Sequence, residues 1–187
     1  IDGRTSADTA LATNYQRPED MEIKTLANGD QIVLIATTTT NEIYSMNLAT
    51  SEMKVFASQA TANAAGGLIG GALVSPDNIA IDADGNFYII EDQGATNADI
   101  WLARDANDDG VAESLQRWAG MQVTGAEPTG LYFDLFKPNT AYLNVQHPTS
   151  GNDQLLMIQA VPEPGEYAMM LAGLGLVGLA SRYRRKA

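Results

Sequence analysis

One pattern of short apolar segments occurs three times in the sequence, and this repeat restricts the fold more than any other feature. Each unit begins at a proline in a polar turn, at Pro18, Pro76 and Pro128, and continues with three or four short apolar segments. Their length and their period of two are typical of half-buried β-strands. Asn28-Gly29 and Asp84-Gly85 separate the first two segments of the first and second units, and such dipeptides favour tight hairpins. The third unit lacks a fourth segment.

A four-stranded antiparallel unit that recurs at roughly 50–60 residues is typical of a propeller blade. We therefore predict an all-β fold: a partial β-propeller of about three four-stranded blades, the last incomplete, followed by a C-terminal hydrophobic helix. The alternative is an ordinary antiparallel sandwich. Propellers usually have about 4–8 blades, so we expect the chain to be the C-terminal part of a longer protein.

The composition changes along the chain, and the changes define three regions. Residues 1–14 are small and polar without a sustained period, so we interpret them as the loop or tail of a preceding element. Residues 15–159 hold the three units and form the predicted partial propeller. Residues 160–187 are a separate C-terminal segment.

The chain is acidic, with a formal net charge of −12, and it contains no cysteine. Basic residues cluster only at its C-terminal end, so a nucleic-acid partner is not expected. Without cysteine, disulfides and thiolate metal sites are impossible. Carboxylates suit hard cations such as Ca²⁺. The alternative is that the acidity only keeps an exported protein soluble.

The C-terminal region combines three features in a fixed order. Val161-Pro162-Glu163-Pro164 precedes an apolar run over 167–180, and a basic cluster ends the chain. This order closely resembles the PEP-CTERM sorting signal of Gram-negative bacteria. The resemblance implies export across the inner membrane, anchoring through the C-terminal helix, cleavage by an exosortase near Pro162–Pro164, and delivery to the cell surface or the extracellular space. The alternative is a plain membrane anchor.

The loop between the third and fourth segments of the second unit predicts a structural calcium site. Oxygen-bearing side chains alternate along it, and Gly110 allows a sharp turn, as in the first half of an EF-hand loop. Glu113 occupies the ninth position, which often ligates through water, while Gln116 stands where a bidentate Glu belongs. The candidate ligands are Asp105, Asn107, Asp109 and Glu113. An acidic hairpin turn is the alternative.

A second group of polar side chains lies at the start of the first strand and at the end of the second strand of each unit. In a propeller these positions surround the central channel, so carboxylates and amides of different blades should meet there and share a cation. They are Glu19, Asp20, Asp77, Asn78, Glu91, Asp92, Glu127, Thr129, Asn144, Gln146 and His147.

The closing segment 125–148, with Glu-Pro-Thr-Gly before a strand and Asn-Val-Gln-His-Pro after it, resembles that of the PhoX-type alkaline phosphatases. Arg17-Pro-Glu-Asp20 and Ser75-Pro-Asp-Asn78 resemble the motifs that begin the blades of that family. The resemblance implies a calcium- and iron-dependent phosphomonoester hydrolase on a β-propeller.

By the same resemblance, four side chains of this sequence are candidate metal ligands. Glu19 and Glu127 would be iron or bridging ligands, with Asn78 and Asp92 nearer calcium. Gln146 and His147 would contact phosphate or support the ligands, although His147 can equally be a strand-end residue before Pro148. The sequence assigns no catalytic residue. The family's iron site also uses a cysteine that this chain cannot supply, so we expect the chain to be inactive alone.

Two other functions fit the same pattern. One is a lactonase-like propeller related to the gluconolactonases, in which Glu19 or Glu127 with Asn78 would hold one divalent ion. The other is a non-enzymatic surface or matrix protein that uses the propeller as a binding scaffold, which fold alone does not exclude.

Overall fold

The computed structural model describes residues 2–92, 97–148 and 152–160. Within these residues the chain is all-β, with eleven strands in three antiparallel sheets and little helix. The strands are β1 (Pro18–Thr25), β2 (Gln31–Thr37), β3 (Glu42–Asn47), β4 (Met53–Ser58), β5 (Pro76–Ile81), β6 (Phe87–Glu91), β7 (Asp99–Arg104), β8 (Ser114–Gly120), β9 (Glu127–Phe133), β10 (Thr140–Gln146) and β11 (Gln154–Gln159).

Each sheet is a meander in which consecutive strands pair. The first sheet has the order β1-β2-β3-β4, the second β5-β6-β7-β8, and the third β9-β10-β11. Gly29 and Gly85 both have a positive φ in the turns between the first two strands, where glycine adopts this conformation without strain. The predicted three units, with the third one strand short, are therefore confirmed for the described residues.

The second sheet lies between the other two and buries both of its faces. Phe87 and Ile89 of β6 belong to the core that it shares with the first sheet. Tyr88 and Ile90, which alternate with them, belong to the core shared with the third sheet. This explains why β6 is apolar throughout, since a strand covered on both faces has no polar side.

The first strands of the three sheets run beside one another. β1 contacts β5, and β5 contacts β9. The polar residues that begin these strands therefore lie at one end of the stack of sheets.

Residues 2–14, expected to be a loop, contain a short helix, α1 (Gly3–Thr9). Asp2 begins it by accepting a hydrogen bond from the backbone N–H of Arg4 at 3.0 Å, the bond of a capping residue. No residue of α1 is buried, so its local capping signal, rather than an apolar period, is what defines it. A single 3-10 turn, Gly70–Ala72, lies between β4 and β5.

The predicted C-terminal hydrophobic helix lies outside the described residues. In the part of the chain that the structure covers, no helix has the length and apolar character needed to cross a membrane.

Candidate metal centre

The first two sheets begin with the same local geometry. Glu19 and Asp77, each directly after a proline, lie where the pairing of the first and second strands shifts by one residue. The residues before the prolines, Arg17 and Ser75, have positive φ values of 53° and 49°. Such a bulge changes the direction in which a side chain points, and in both sheets the bulged residue is acidic.

In both sheets, the residue that follows the second strand donates a backbone hydrogen bond to the residue before the proline. Asp92 N–H donates to the Ser75 carbonyl at 2.8 Å, and Thr38 N–H donates to the Arg17 carbonyl at 3.1 Å. Asp92 is thereby held at the end of β6, beside the bulge that carries Asp77.

Arg17 links acidic groups of two sheets. Its Nε donates to Glu19 Oε1 at 2.8 Å, and its Nη2 lies 3.7 Å from Asp92 Oδ2. The Arg17 side chain is half exposed, and these carboxylates raise its pKa, Glu19 most strongly. Glu19 of the first sheet and Asp92 of the second therefore lie within reach of one guanidinium.

Asp77 and Glu127 add carboxylates of the second and third sheets to this group of acidic residues. Burial raises the pKa of Asp77, and the charges of Asp92 and Glu19 raise it further. Burial likewise raises the pKa of Glu127 most strongly. The charges of Asp92 and Asp77 raise this pKa further, while His147 lowers it. Carboxylates of all three sheets thus repel one another at one end of the molecule. We call Glu19, Asp77, Asp92 and Glu127 the axial cluster.

Asn78 lies beside the axial cluster but has a structural partner. Its Oδ1 accepts hydrogen bonds from Thr129 Oγ1 and, at 3.0 Å, from Gly130 N–H. Its Nδ2 donates to Asp77 Oδ2 at 3.0 Å. The amide therefore joins β5 to β9, and its oxygen is already engaged.

The two candidate phosphate contacts lie at the same end. Gln146 is paired with Glu127 in the register of β10 and β9. His147 follows with a φ of 52°, and its N–H donates to Asp153 Oδ1 at 3.3 Å. The imidazole is close enough to Glu127 to lower the pKa of that carboxyl.

Glu91, by contrast, does not join the axial cluster. It is 3% exposed, and its carboxylate accepts hydrogen bonds from Val74 N–H, Asp99 N–H and Trp101 Nε1 at 2.8–2.9 Å. Burial raises the pKa of Glu91, although these three hydrogen bonds act to lower it. Neighbouring residues of a strand point to opposite sides, so Glu91 secures the fold whereas Asp92 faces the cluster.

The loop after β7 gathers three of the four residues in the second predicted set of ligands. Carboxylate oxygens of Asp105, Asp109 and Glu113 lie within 4.8 Å of one another, the one such acidic trio in the described residues. Asn107 Oδ1 accepts from Asp109 N–H at 3.1 Å, and Asp105 accepts from Gly110 N–H at 3.0 Å. Burial raises the pKa of Asp105. The loop is folded so that oxygen ligands converge, which suits Ca²⁺.

Sequence reasoning gave no role to Arg17 and expected Asp20 to share a cation, whereas both residues organise the axial cluster. Arg17 bridges Glu19 and Asp92, and Asp20 accepts a hydrogen bond from Ile79 N–H at 2.8 Å. Both belong to the repeated turn that begins the first sheet, and their position in that turn was the only available signal.

Residues 160–186 match the family described as the PEP-CTERM protein-sorting motif. The match covers the segment with Pro162, Glu163 and Pro164, which lies outside the described residues apart from Ala160. The motif implies exosortase processing, with export and surface sorting in Gram-negative bacteria. No curated protein matches the chain significantly.

Proposed function

We propose that this chain is the surface-sorted part of a calcium-dependent phosphomonoester hydrolase built on a β-propeller. The three sheets would be consecutive blades, with the first strands innermost. Two features support this proposal: each sheet is a four- or three-stranded meander, and β5 contacts both β1 and β9. The sorting motif supports the location, and the apolar run over 167–180 would hold the precursor in the membrane until an exosortase acts.

The observation that carries the proposal is the meeting of carboxylates from three sheets in the axial cluster. Burial and, after it, mutual repulsion raise the pKa of Asp77 and Glu127, so a divalent cation among these groups would relieve an unfavourable interaction. The donors are carboxylate oxygens, which Ca²⁺ prefers. Iron fits less well, because the family's site includes a cysteine and this chain has none.

Glu19, Asp92 and Glu127 would hold the cation, and Asn78 would hold the β9 backbone in place for Glu127. A bound Ca²⁺ would attract phosphate oxygens and offset charge at the leaving oxygen. Arg17 has a half-exposed guanidinium beside the cluster, where it can donate hydrogen bonds to a phosphate. His147 lies near Glu127 at the same end and would make a further phosphate contact. Asp105, Asp109 and Glu113 would bind a separate, structural calcium ion.

A non-enzymatic binding propeller is the second candidate, and one observation favours it. No three carboxylates of the axial cluster are among the described groups with oxygens within 4.8 Å, and Arg17 lies between Glu19 and Asp92. A cluster whose charge is partly offset by its own arginine would be a structural centre without bound substrate.

Hydrolysis assays with the complete secreted protein separate the candidates. We expect the protein to hydrolyse p-nitrophenyl phosphate in the presence of calcium but not after a chelator has removed the calcium. Opening of gluconolactone without phosphatase activity would favour the lactonase. Full calcium occupancy without either activity would favour the scaffold.

A further inference from the structure

The turn between β9 and β10 presents large apolar side chains to solvent. Leu135 and Phe136 are 69% and 91% exposed in the described part of the chain, and Lys137 follows them. The equivalent turns of the first and second sheets, residues 26–30 and 82–86, are described throughout and expose no large apolar side chain. We call Leu135, Phe136 and Lys137 the β9–β10 tip.

The backbone of this turn is fixed by its own hydrogen bonds. Asp134 Oδ1 accepts from the N–H groups of Phe136 and Lys137 at 2.9 and 3.1 Å. The Lys137 carbonyl accepts from Thr140 N–H at 2.8 Å. Taking an N–H group out of water is costly when it has no partner, so a turn whose donors already have partners leaves water at lower cost.

The third sheet ends beside the same turn. Ala160 N–H donates to the Asn139 carbonyl at 2.9 Å, and the matched sorting motif begins at Ala160. The apolar run of that motif starts at residue 167. The connection from 160 to 167 spans at most about 25 Å, so an anchored tail keeps the turn close to the membrane surface.

The basic cluster at the end of the tail decides which membrane surface this is. Clusters such as Arg182-Tyr-Arg-Arg-Lys186 stay on the cytoplasmic side of a membrane. The start of the apolar run would then lie at the opposite, exported surface, on the same side as the three sheets.

From this placement we propose that the β9–β10 tip inserts Leu135 and Phe136 into the exported surface of the phospholipid bilayer that holds the tail. The proposal rests on the membrane anchoring of the precursor in the proposed function. Apolar side chains gain free energy by leaving water, and binding at a bilayer surface grows with the apolar area buried there.

Charge restricts the contact to the tip. The chain has a net charge of −12, so anionic lipid headgroups repel most of its surface. Lys137 adds a positive charge next to the two apolar side chains. A lysine at this place can reach lipid phosphates with its ammonium group while its stem stays in apolar surroundings.

The contact would direct the axial cluster away from the bilayer. Glu127 begins β9, and the tip follows the other end of the same strand. The seven residues of β9 span about 20 Å, which separates the cluster from the lipid surface. A site at that end stays open to solutes outside the membrane.

Fluorescence of a label beside the tip tests the proposal. Asn139 lies in the turn but outside the tip, and the chain has no cysteine of its own, so Asn139→Cys carries a single polarity-sensitive label. The full chain is reconstituted into vesicles of equal parts phosphatidylcholine and phosphatidylglycerol, with and without lipids that carry a nitroxide quencher on the acyl chain. We expect a blue-shifted emission that the nitroxide lipids quench.

Three variants provide the controls. Gln122→Cys places the label in the exposed loop between β8 and β9, at the end of the axial cluster, and should emit as in water without quenching. Phe136→Asp in the Asn139→Cys chain should shift the emission to that of water. Leu11→Asp should leave it unchanged, because Leu11 is equally exposed, at 91%, but lies outside the tip.

A label at Asn139→Cys that emits as in water would overturn the proposal. A blue-shifted label that the nitroxide lipids do not quench would also overturn it, because protein rather than lipid would then cover the tip. Flotation of the same vesicles separates the two proposals. A chain that floats with its label in water contradicts only the inserted tip, whereas a chain that does not float contradicts the anchoring in the proposed function and the inserted tip with it.

Discussion

The carboxylate of Asp20 accepts a hydrogen bond from Ile79 N–H at 2.8 Å and so joins the first strand of one sheet to the first strand of the next. Asn78, in the same position of the second sheet, accepts from Gly130 N–H at 3.0 Å. Two residues that occupy equivalent places in the repeat therefore hold the sheets together at the end where the axial cluster lies.

Replacing Asp20 with alanine should destabilise the protein, because the Ile79 N–H would lose the acceptor of a partly buried hydrogen bond. Leaving such a group without a partner costs about 1–3 kcal/mol. Chemical denaturation of the full chain in detergent measures the change. Glu52→Ala, on an exposed turn, is the control and should have almost no effect. Equal stability of Asp20→Ala and the wild type would show that the hydrogen bond does not hold the sheets together.

Asp77→Asn should change stability in opposite directions with and without calcium. The raised pKa of Asp77 means that the folded protein holds more protons than the unfolded chain between pH 3.8 and the raised value. Its contribution to the free energy of unfolding therefore falls as pH rises through this window. With chelator at neutral pH, Asp77→Asn should raise the melting temperature by about 2–4 °C.

That gain should disappear below pH 3.8, where the carboxyl is protonated in both states. Excess calcium should reverse it, because the negative charge of Asp77 in the wild type would then attract the cation bound by the axial cluster. Differential scanning calorimetry at several pH values provides the comparison. Asp8→Asn, an exposed residue of α1, serves as the control and should show neither effect. A variant that is less stable than the wild type in chelator would contradict the repulsion.

Asp109→Asn should weaken calcium binding at the loop after β7, because one of three converging carboxylates is lost. Isothermal titration calorimetry should then show one binding event fewer, or one weakened at least about tenfold, which corresponds to about 1.4 kcal/mol. Asp108→Asn is a matched control in the same loop, since Asp108 instead pairs with Lys24 Nζ at 2.7 Å. Equal effects of the two substitutions would indicate general loop disruption.

Glu163→Ala should block exosortase processing, since Glu163 is the acidic residue of the Pro-Glu-Pro motif within the matched segment. The unprocessed protein should accumulate in the inner membrane, and mass spectrometry of its C-terminus should find residues 165–187 still attached. Glu166→Ala lies outside the three-residue motif and should be processed normally. Normal release of Glu163→Ala would mean that another part of the tail is recognised.

The sequence predicted the strands well because local signals and apolar periods agreed with each other. Prolines begin β1 and β5, Asn-Gly and Asp-Gly turns follow, and the apolar run of β6 matches its burial on both faces. The short helix α1 was missed because its residues are all exposed and give no apolar period.

The candidate site was less predictable because its contacts join residues far apart in the chain. The sequence indicated that Glu19, Asp92 and Glu127 lie at one end of the sheets, and the structure places Asp92 near Glu127 and near Arg17, which pairs with Glu19. It could not show that Asn78 would be engaged by β9, or that Arg17 would bridge Glu19 and Asp92. Those outcomes depend on how two sheets are placed against each other.

The calcium content of the purified full chain, for the wild type and for Glu127→Gln, tests the central claim most directly. Glutamine keeps the shape of Glu127 but removes the charge that the third sheet contributes to the axial cluster. We predict that Glu127→Gln retains only the calcium of the Asp105 loop, as atomic emission would show. Calcium content equal to that of the wild type would contradict a cation site shared by the three sheets.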